Sequence, residues 1–151
     1  FPMGVSPLLE AADLVVGGRH EERLQDERHA TYEGWVQDEE ARIHWNGHVD
    51  VAYNLIRACN PAPGAWTLHD GEKVRFFDCR KNVLGGYLAA GHKPGNVAGV
   101  TEHSIVIWAH GGLIEVFRLR PEGGPKMDAG EFARQRGWAV STAWRSYLRP
   151  A

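Results

Sequence analysis

The 151-residue chain has only two cysteines, Cys59 and Cys79, too few for the disulfide framework that staples small secreted folds. Their scarcity fits a reducing compartment, so a cytoplasmic location is expected. No apolar run approaches the roughly 20 residues of a membrane helix, and Phe1 to Leu9 lacks the cationic flank of a secretory signal. No membrane partner is expected. Low-complexity tracts are also missing, and 43% hydrophobic with 10% aromatic residues argues against a wholly disordered chain. The length excludes most large two-domain catalysts, yet it suffices for one domain with its own core. Phe1-Pro2 stands where an initiating Met is usual, and reads as an end made by processing or truncation.

Several chemical signatures are missing as well. The glycine pairs at 17–18, 85–86, 111–112 and 123–124 sit in turn contexts, without the strand-loop-helix setting of a phosphate cradle. His44 and His48 have a four-residue spacing that one continuous helix can turn toward a metal. Asn46-Gly47 interrupts it, however, and no third ligand clusters nearby, so no metal is expected. Cys59 falls on the apolar face of a predicted helix and reads as a packed core residue rather than a nucleophile. Cys79 gives no stronger signal.

Charge is present but uneven. Residues 1–41 carry three Arg against ten Asp and Glu, whereas residues 42–151 carry fourteen Lys and Arg against nine. Such asymmetry fits an acidic linker followed by a mildly basic domain that prefers anionic partners, and equally ordinary surface variation. The elements follow from periodicity. Ser6-Pro7 opens a helix whose stripe is Leu8, Leu9, Ala12, Val15 and Val16, ended by Gly17-Gly18. Arg19 to Arg28 is nearly devoid of apolar residues and reads as connector. Asn46 caps a second helix bearing Val49, Ala52, Leu55, Ile56 and Cys59, which stops at Asn60-Pro61. Five strands are predicted: Ala65 to His69, Lys73 to Arg80, Asn96 to Thr101, Ser104 to Ala109 and Leu113 to Arg120. Asp70-Gly71 and His110-Gly111-Gly112 are hairpin turns. Asp128 to Glu131 opens a last helix through Arg136, and Trp138 to Leu148 extends it. The expected architecture is mainly β with flanking helices: a small oligonucleotide-binding-like (OB-like) barrel, closed or partly open, preceded by a helix and linker.

The basic residues Arg57, Lys73, Arg75, Arg80, Lys81, Lys93, Arg118 and Arg120 can neutralise phosphates. Trp66, Phe77 and Trp108, if exposed, can stack on unpaired bases. Strand aromatics are more often core, and the positive excess is small for a dedicated nucleic-acid binder. The contact residues retained for a polyanion or substrate are Arg57, Lys73, Arg75, Lys93, Arg118 and Arg120.

The run Asn54-Leu55-Ile56-Arg57-Ala58-Cys59-Asn60-Pro61-Ala62-Pro63-Gly64-Ala65-Trp66-Thr67 resembles the signature of the C-terminal domain of methionyl-tRNA formyltransferases and their relatives. The resemblance extends through Ile43-His44-Trp45, Lys93-Pro94-Gly95-Asn96-Val97 and the stretch from Leu119 to Met127, covering roughly residues 41–136. Ala30-Thr31-Tyr32-Glu33-Gly34 and the opening Phe1 to Val5 are more similar to the folate-hydrolysing domain of 10-formyltetrahydrofolate dehydrogenase and to kindred formyltransferases of secondary metabolism. The domain division implied is a helix at 1–18 left over from a catalytic domain, an acidic linker at 19–40, the barrel at 41–137 and a helical extension at 138–151.

The resemblance implies a parent enzyme that moves formyl from 10-formyltetrahydrofolate to an amine or to water, using an Asn, His and Asp set in a doubly wound domain. This chain has no such set and no folate-site loop, so no catalytic residue, bound cofactor or turnover of its own is expected. Implied partners are an N-terminal catalytic domain and a small amine or tRNA. The leading reading is an accessory domain that positions substrate. The alternatives are a stand-alone module for tRNA or another polyanion, and a protein-interaction domain whose Val5 to Val16 stripe is suited to homodimerisation.

Overall fold

The computed structural model describes residues 2–84 and 92–138, in two compact units divided after Gly34. The first unit holds helix α1 (Pro2–Val16) and one 3-10 turn (Glu27–His29) capped by Asp26. α1 begins upstream of the expected Ser6 and carries Pro7 inside it. The proline has no N–H for the carbonyl of Met3, and the helix tolerates that one missing bond. It ends at Gly17-Gly18 as expected, where the N–H of Arg19 donates to the carbonyl of Leu14 at 2.9 Å. Leu8, Leu9, Val15 and Val16 stay exposed. Residues 19–26 form no regular element.

The second unit contains α2 (Val49–Ala58), β1 (Ala65–His69), β2 (Glu72–Phe76), β3 (Cys79–Val83), β4 (Val97–Val100), β5 (Ile105–Ala109), β6 (Gly112–Val116), β7 (Arg118–Pro121), β8 (Met127–Asp128) and α3 (Ala129–Gln135). The mainly β architecture with flanking helices is as expected. Its strands form two four-stranded antiparallel sheets, ordered β1-β2-β7-β8 and β3-β6-β5-β4, with no closed barrel among the described residues.

Two of the five predicted strands are each divided by a corner. Lys73 to Arg80 breaks at Phe77-Asp78, and Leu113 to Arg120 breaks at Phe117. Phe76 and Phe77 are both buried, so the in-out alternation of one flat strand fails there. Paired bonds hold the bend: Phe77 N–H donates to the Arg118 carbonyl at 3.0 Å, and Phe117 N–H to the Asp78 carbonyl at 2.8 Å. The chain thereby switches sheets, as in orthogonally packed β structures.

α2 places Val49, Ala52 and Ile56 in the core, on one face at helical spacing. Its cap is His48, not Asn46. Asn46-Gly47 is used up in a turn in which Gly47 N–H reaches the His44 carbonyl at 3.0 Å, and His48 Nδ1 accepts from Asp50 N–H at 3.3 Å. After Cys59 the chain rounds two prolines to Gly64, which enters β1 with φ +87°. A Cβ there would sit 2.9 Å from the Phe77 ring, so only glycine fits this corner. α3 is capped by Asp128, as the capping pattern predicts, and buries Ala129, Phe132 and Ala133. β5 is buried on both faces. Ile105, Ile107 and Ala109 join the main core, while Val106 and Trp108 pack with Leu84 and Leu113 in a second cluster. The predicted extension from Trp138 to Leu148 lies outside the described residues, apart from Trp138 itself.

Candidate functional site

The antiparallel register of the first sheet brings distant residues into one row. Trp66 of β1 is opposite Arg75 of β2, and Arg75 is opposite Arg120 of β7. Lys73 and Arg118 lie two residues along their strands and so share this outward face. Lys73, Arg75 and Arg120 line an open cleft whose other wall is the turn Pro121-Glu122-Gly123-Gly124. Of the six predicted contact residues, three therefore converge and Arg118 flanks them.

The other two do not line this cleft. Arg57 is on α2, with its guanidinium 5.3 Å from the Tyr53 ring centroid, and Lys93 is in the turn before β4, where its carbonyl accepts from Asn96 N–H. Arg80 lies over Phe117, and Lys81 bonds Asp50 at 2.5 Å, holding that carboxylate below its ordinary range. The set expected as one groove is thus at least two groups, because α2 and β3 belong to a different side of the fold from β2 and β7.

The cations of the cleft already have an anionic partner. Lys73 Nζ lies 2.6 Å from one oxygen of Asp38, and the Arg75 guanidinium lies 2.7 Å from the other. These two hydrogen bonds, Lys73's first, lower the Asp38 pKa below the usual carboxylate value. Arg75 also donates to the carbonyls of Gly64 at 3.1 Å and Pro63 at 3.4 Å. Asp38 is delivered by main-chain contacts. Its carbonyl accepts from the Trp66 indole at 2.6 Å, Trp66 N–H donates to Ala41, and Ile43 N–H donates back to Trp66. The segment before β1 is thus laced along that strand's free edge. Asp38 was missed because it stands in an acidic run, 35 residues from Lys73, and no local spacing marks such a partner.

The aromatic half of the predicted groove is covered. Trp66 is 5% exposed, with Lys73 Nζ 4.3 Å and the Arg42 guanidinium 5.3 Å from its ring centroid. Phe77 is 3% exposed beneath Lys126 at 4.1 Å and Arg120 at 5.6 Å. Trp108 is buried on the second sheet, stacked on His92 at 3.8 Å. None of these three rings presents a free face to a base. Arg42 and Lys126 join the site as residues the sequence reading did not select.

The cysteines offer no activated thiol. Cys59 is in the core with its pKa raised by burial, and Cys79 is pushed up to about 11 by burial and the neighbouring Asp78. His48 serves as a helix cap, and no group of three or more His, Cys, Asp or Glu able to hold a metal occurs among the described residues. No helix among them is long and apolar enough to cross a membrane.

The sequence model of a family described as "Formyl transferase, C-terminal domain" matches residues 36–137. Cytosolic 10-formyltetrahydrofolate dehydrogenase of Mus musculus is 32% identical over 141 residues, covering 87% of this chain and 15% of the relative. Methionyl-tRNA formyltransferase of Moorella thermoacetica is 34% identical over 130 residues, covering 86% of this chain and 40% of the relative. The crystal structure of HypX from Aquifex aeolicus in complex with tetrahydrofolic acid has a similar fold, with a TM-score of 0.63 at 19% identity over 90% of this chain and 23% of that one. The chain spans less than half the length of each of these proteins.

Proposed function

Since the chain belongs to the formyl transferase C-terminal domain family, we propose that it serves a 10-formyltetrahydrofolate-dependent formyltransferase or hydrolase as the accessory domain that positions the formyl acceptor. The family match over residues 36–137 carries the reading. The chemistry is that of a separate catalytic domain, which supplies the base that activates an amine or water and the donors for the developing oxyanion. This chain supplies a rigid wall: two sheets locked by corner bonds, with the Lys73, Arg75 and Arg120 face on the outside. The scarcity of cysteine supports a cytoplasmic setting for such an enzyme.

Between acceptor classes, the face favours a small amine or water over tRNA, because Asp38 neutralises two of its cations and both of its rings are covered. The test is formate release from 10-formyltetrahydrofolate by the purified chain. None above the buffer rate is expected, and multiple turnover would overturn the accessory reading.

A further inference from the structure

We infer that Asp38 is a specificity-determining residue: it occupies the Lys73 and Arg75 cations of the first sheet as a built-in anion and keeps nucleic-acid backbones off this face. Arg75 and Arg120 are cross-strand neighbours, and Lys73 is two residues from Arg75 on the same face. Three cations so close would otherwise be a natural seat for successive phosphates. Asp38 closes it with both oxygens, one per cation. The flanking residues are held too. Arg120 and Lys126 lie over Phe77, Lys126 is 4.0 Å from Asp78, and Glu122 adds a carboxylate to the cleft wall.

The closure is preorganised. Residues 38–43 are tied to Trp66 by three hydrogen bonds, so the Asp38 carboxylate is presented at high effective concentration. A phosphate arriving from solution must displace it, with no stacking on Trp66 or Phe77 to compensate. Lys73 and Arg75 are only 24% and 20% exposed, so displacement also means reopening a part-buried pair. Because its pKa is lowered, the carboxylate stays charged throughout the neutral range.

This deepens the positioning role proposed above, and its test reads binding instead of turnover, so either can fail alone. A labelled single-stranded RNA 12-mer is titrated with the full chain by fluorescence anisotropy, between about 50 and 200 mM salt. The wild-type chain is expected to bind weakly. Asp38→Asn is expected to bind at least about tenfold tighter, with a salt slope steeper by about 1.4, counting about 0.7 for each of the two uncovered cations. Adding Arg75→Ala to Asp38→Asn removes about half of that slope increase, since only Lys73 is then left uncovered. Thermal melts check folding. Should Asp38→Asn not fold, Asp38→Asn with Lys73→Met replaces the ion pair by neutral groups and leaves Arg75 uncovered, with half the slope increase expected. Wild-type binding that is already tight and is unchanged by Asp38→Asn overturns the inference, as does a folded variant with wild-type affinity.

Discussion

Replacing Gly130 by alanine sets two effects of known sign against each other. Gly130 is the second residue of α3, and on an isolated helix Gly→Ala is worth about 0.5–1 kcal/mol of stabilisation. Here an added Cβ would overlap the Glu102 carbonyl oxygen, lie 2.5 Å from its carbon and stand 2.8 Å from the His103 nitrogen. All three are backbone atoms, so no side chain can swing aside.

Neither partner can retreat cheaply. The Thr101–Ser104 turn is held by Thr101 Oγ1 accepting from Ser104 N–H at 2.9 Å, and the Ser104 hydroxyl bonds Glu115 at 2.6 Å. α3 is fixed by Ala129 N–H on the Phe117 carbonyl at 2.9 Å and by buried Phe132 and Ala133. Overpacking against backbone that cannot yield falls in the upper part of the usual range, about 2–3 kcal/mol, and after the propensity gain of about 0.5–1 kcal/mol leaves a net loss of about 1–2.5 kcal/mol. For a domain of this size that lowers Tm by about 5–15 °C. Urea unfolding followed by tryptophan fluorescence measures it. Gly4→Ala in α1, with nothing within 4 Å of the new Cβ, is the control and should raise helicity. A Gly130→Ala variant as stable as wild type would refute the close-approach argument.

Ile56, fully buried on α2, should lose about 2–5 kcal/mol on truncation to alanine, read from the urea midpoint. Asp128→Ala removes the acceptor for Glu131 N–H and should cost about 1 kcal/mol, with helical circular dichroism falling first on heating. The lowered pKa of Asp38 fixes the sign of its pH dependence: its contribution is complete above the unfolded carboxylate value of about 4 and disappears as pH falls through the lower folded value. Asp38→Asn should therefore flatten the acid arm of a Tm against pH curve while leaving its shape near pH 7 unchanged. Cys59 and Cys79 should react with a disulfide reagent at pH 8 at least about tenfold more slowly in the native chain than in urea, since burial raises both thiols.

The local elements were legible where one physical signal dominated. β1 was bounded by the Pro-Gly corner and Asp70-Gly71, and α3 by the Asp128 cap, so their positions follow from turn chemistry alone. The corners at Phe77 and Phe117 were not legible as such. Each lies within a run of strand-forming residues, and the bend is set by which sheet receives the next residues, a tertiary choice. The His48 cap was hidden for a similar reason: Asn46 has the better intrinsic preference, but Gly47 turns the chain before the helix begins. For the candidate site, the strand cations Lys73, Arg75 and Arg120 were identifiable and their alignment was not, since it depends on β2–β7 register. Asp38 was hidden most deeply. Its role comes from residues far along the chain folding against it, and its neighbours Glu39 and Glu40 gave it the look of linker.

The proposed positioning role is tested most directly by steady-state kinetics, with an amine acceptor, of a formyltransferase relative such as the methionyl-tRNA formyltransferase of Moorella thermoacetica or of a small-amine formyltransferase carrying this domain, with and without the segment corresponding to residues 36–137. The account predicts that deletion raises the acceptor KM by at least about tenfold, while the KM for 10-formyltetrahydrofolate moves less than about twofold, the pattern of lost acceptor binding. An unchanged acceptor KM in a folded, active deletion variant would contradict it.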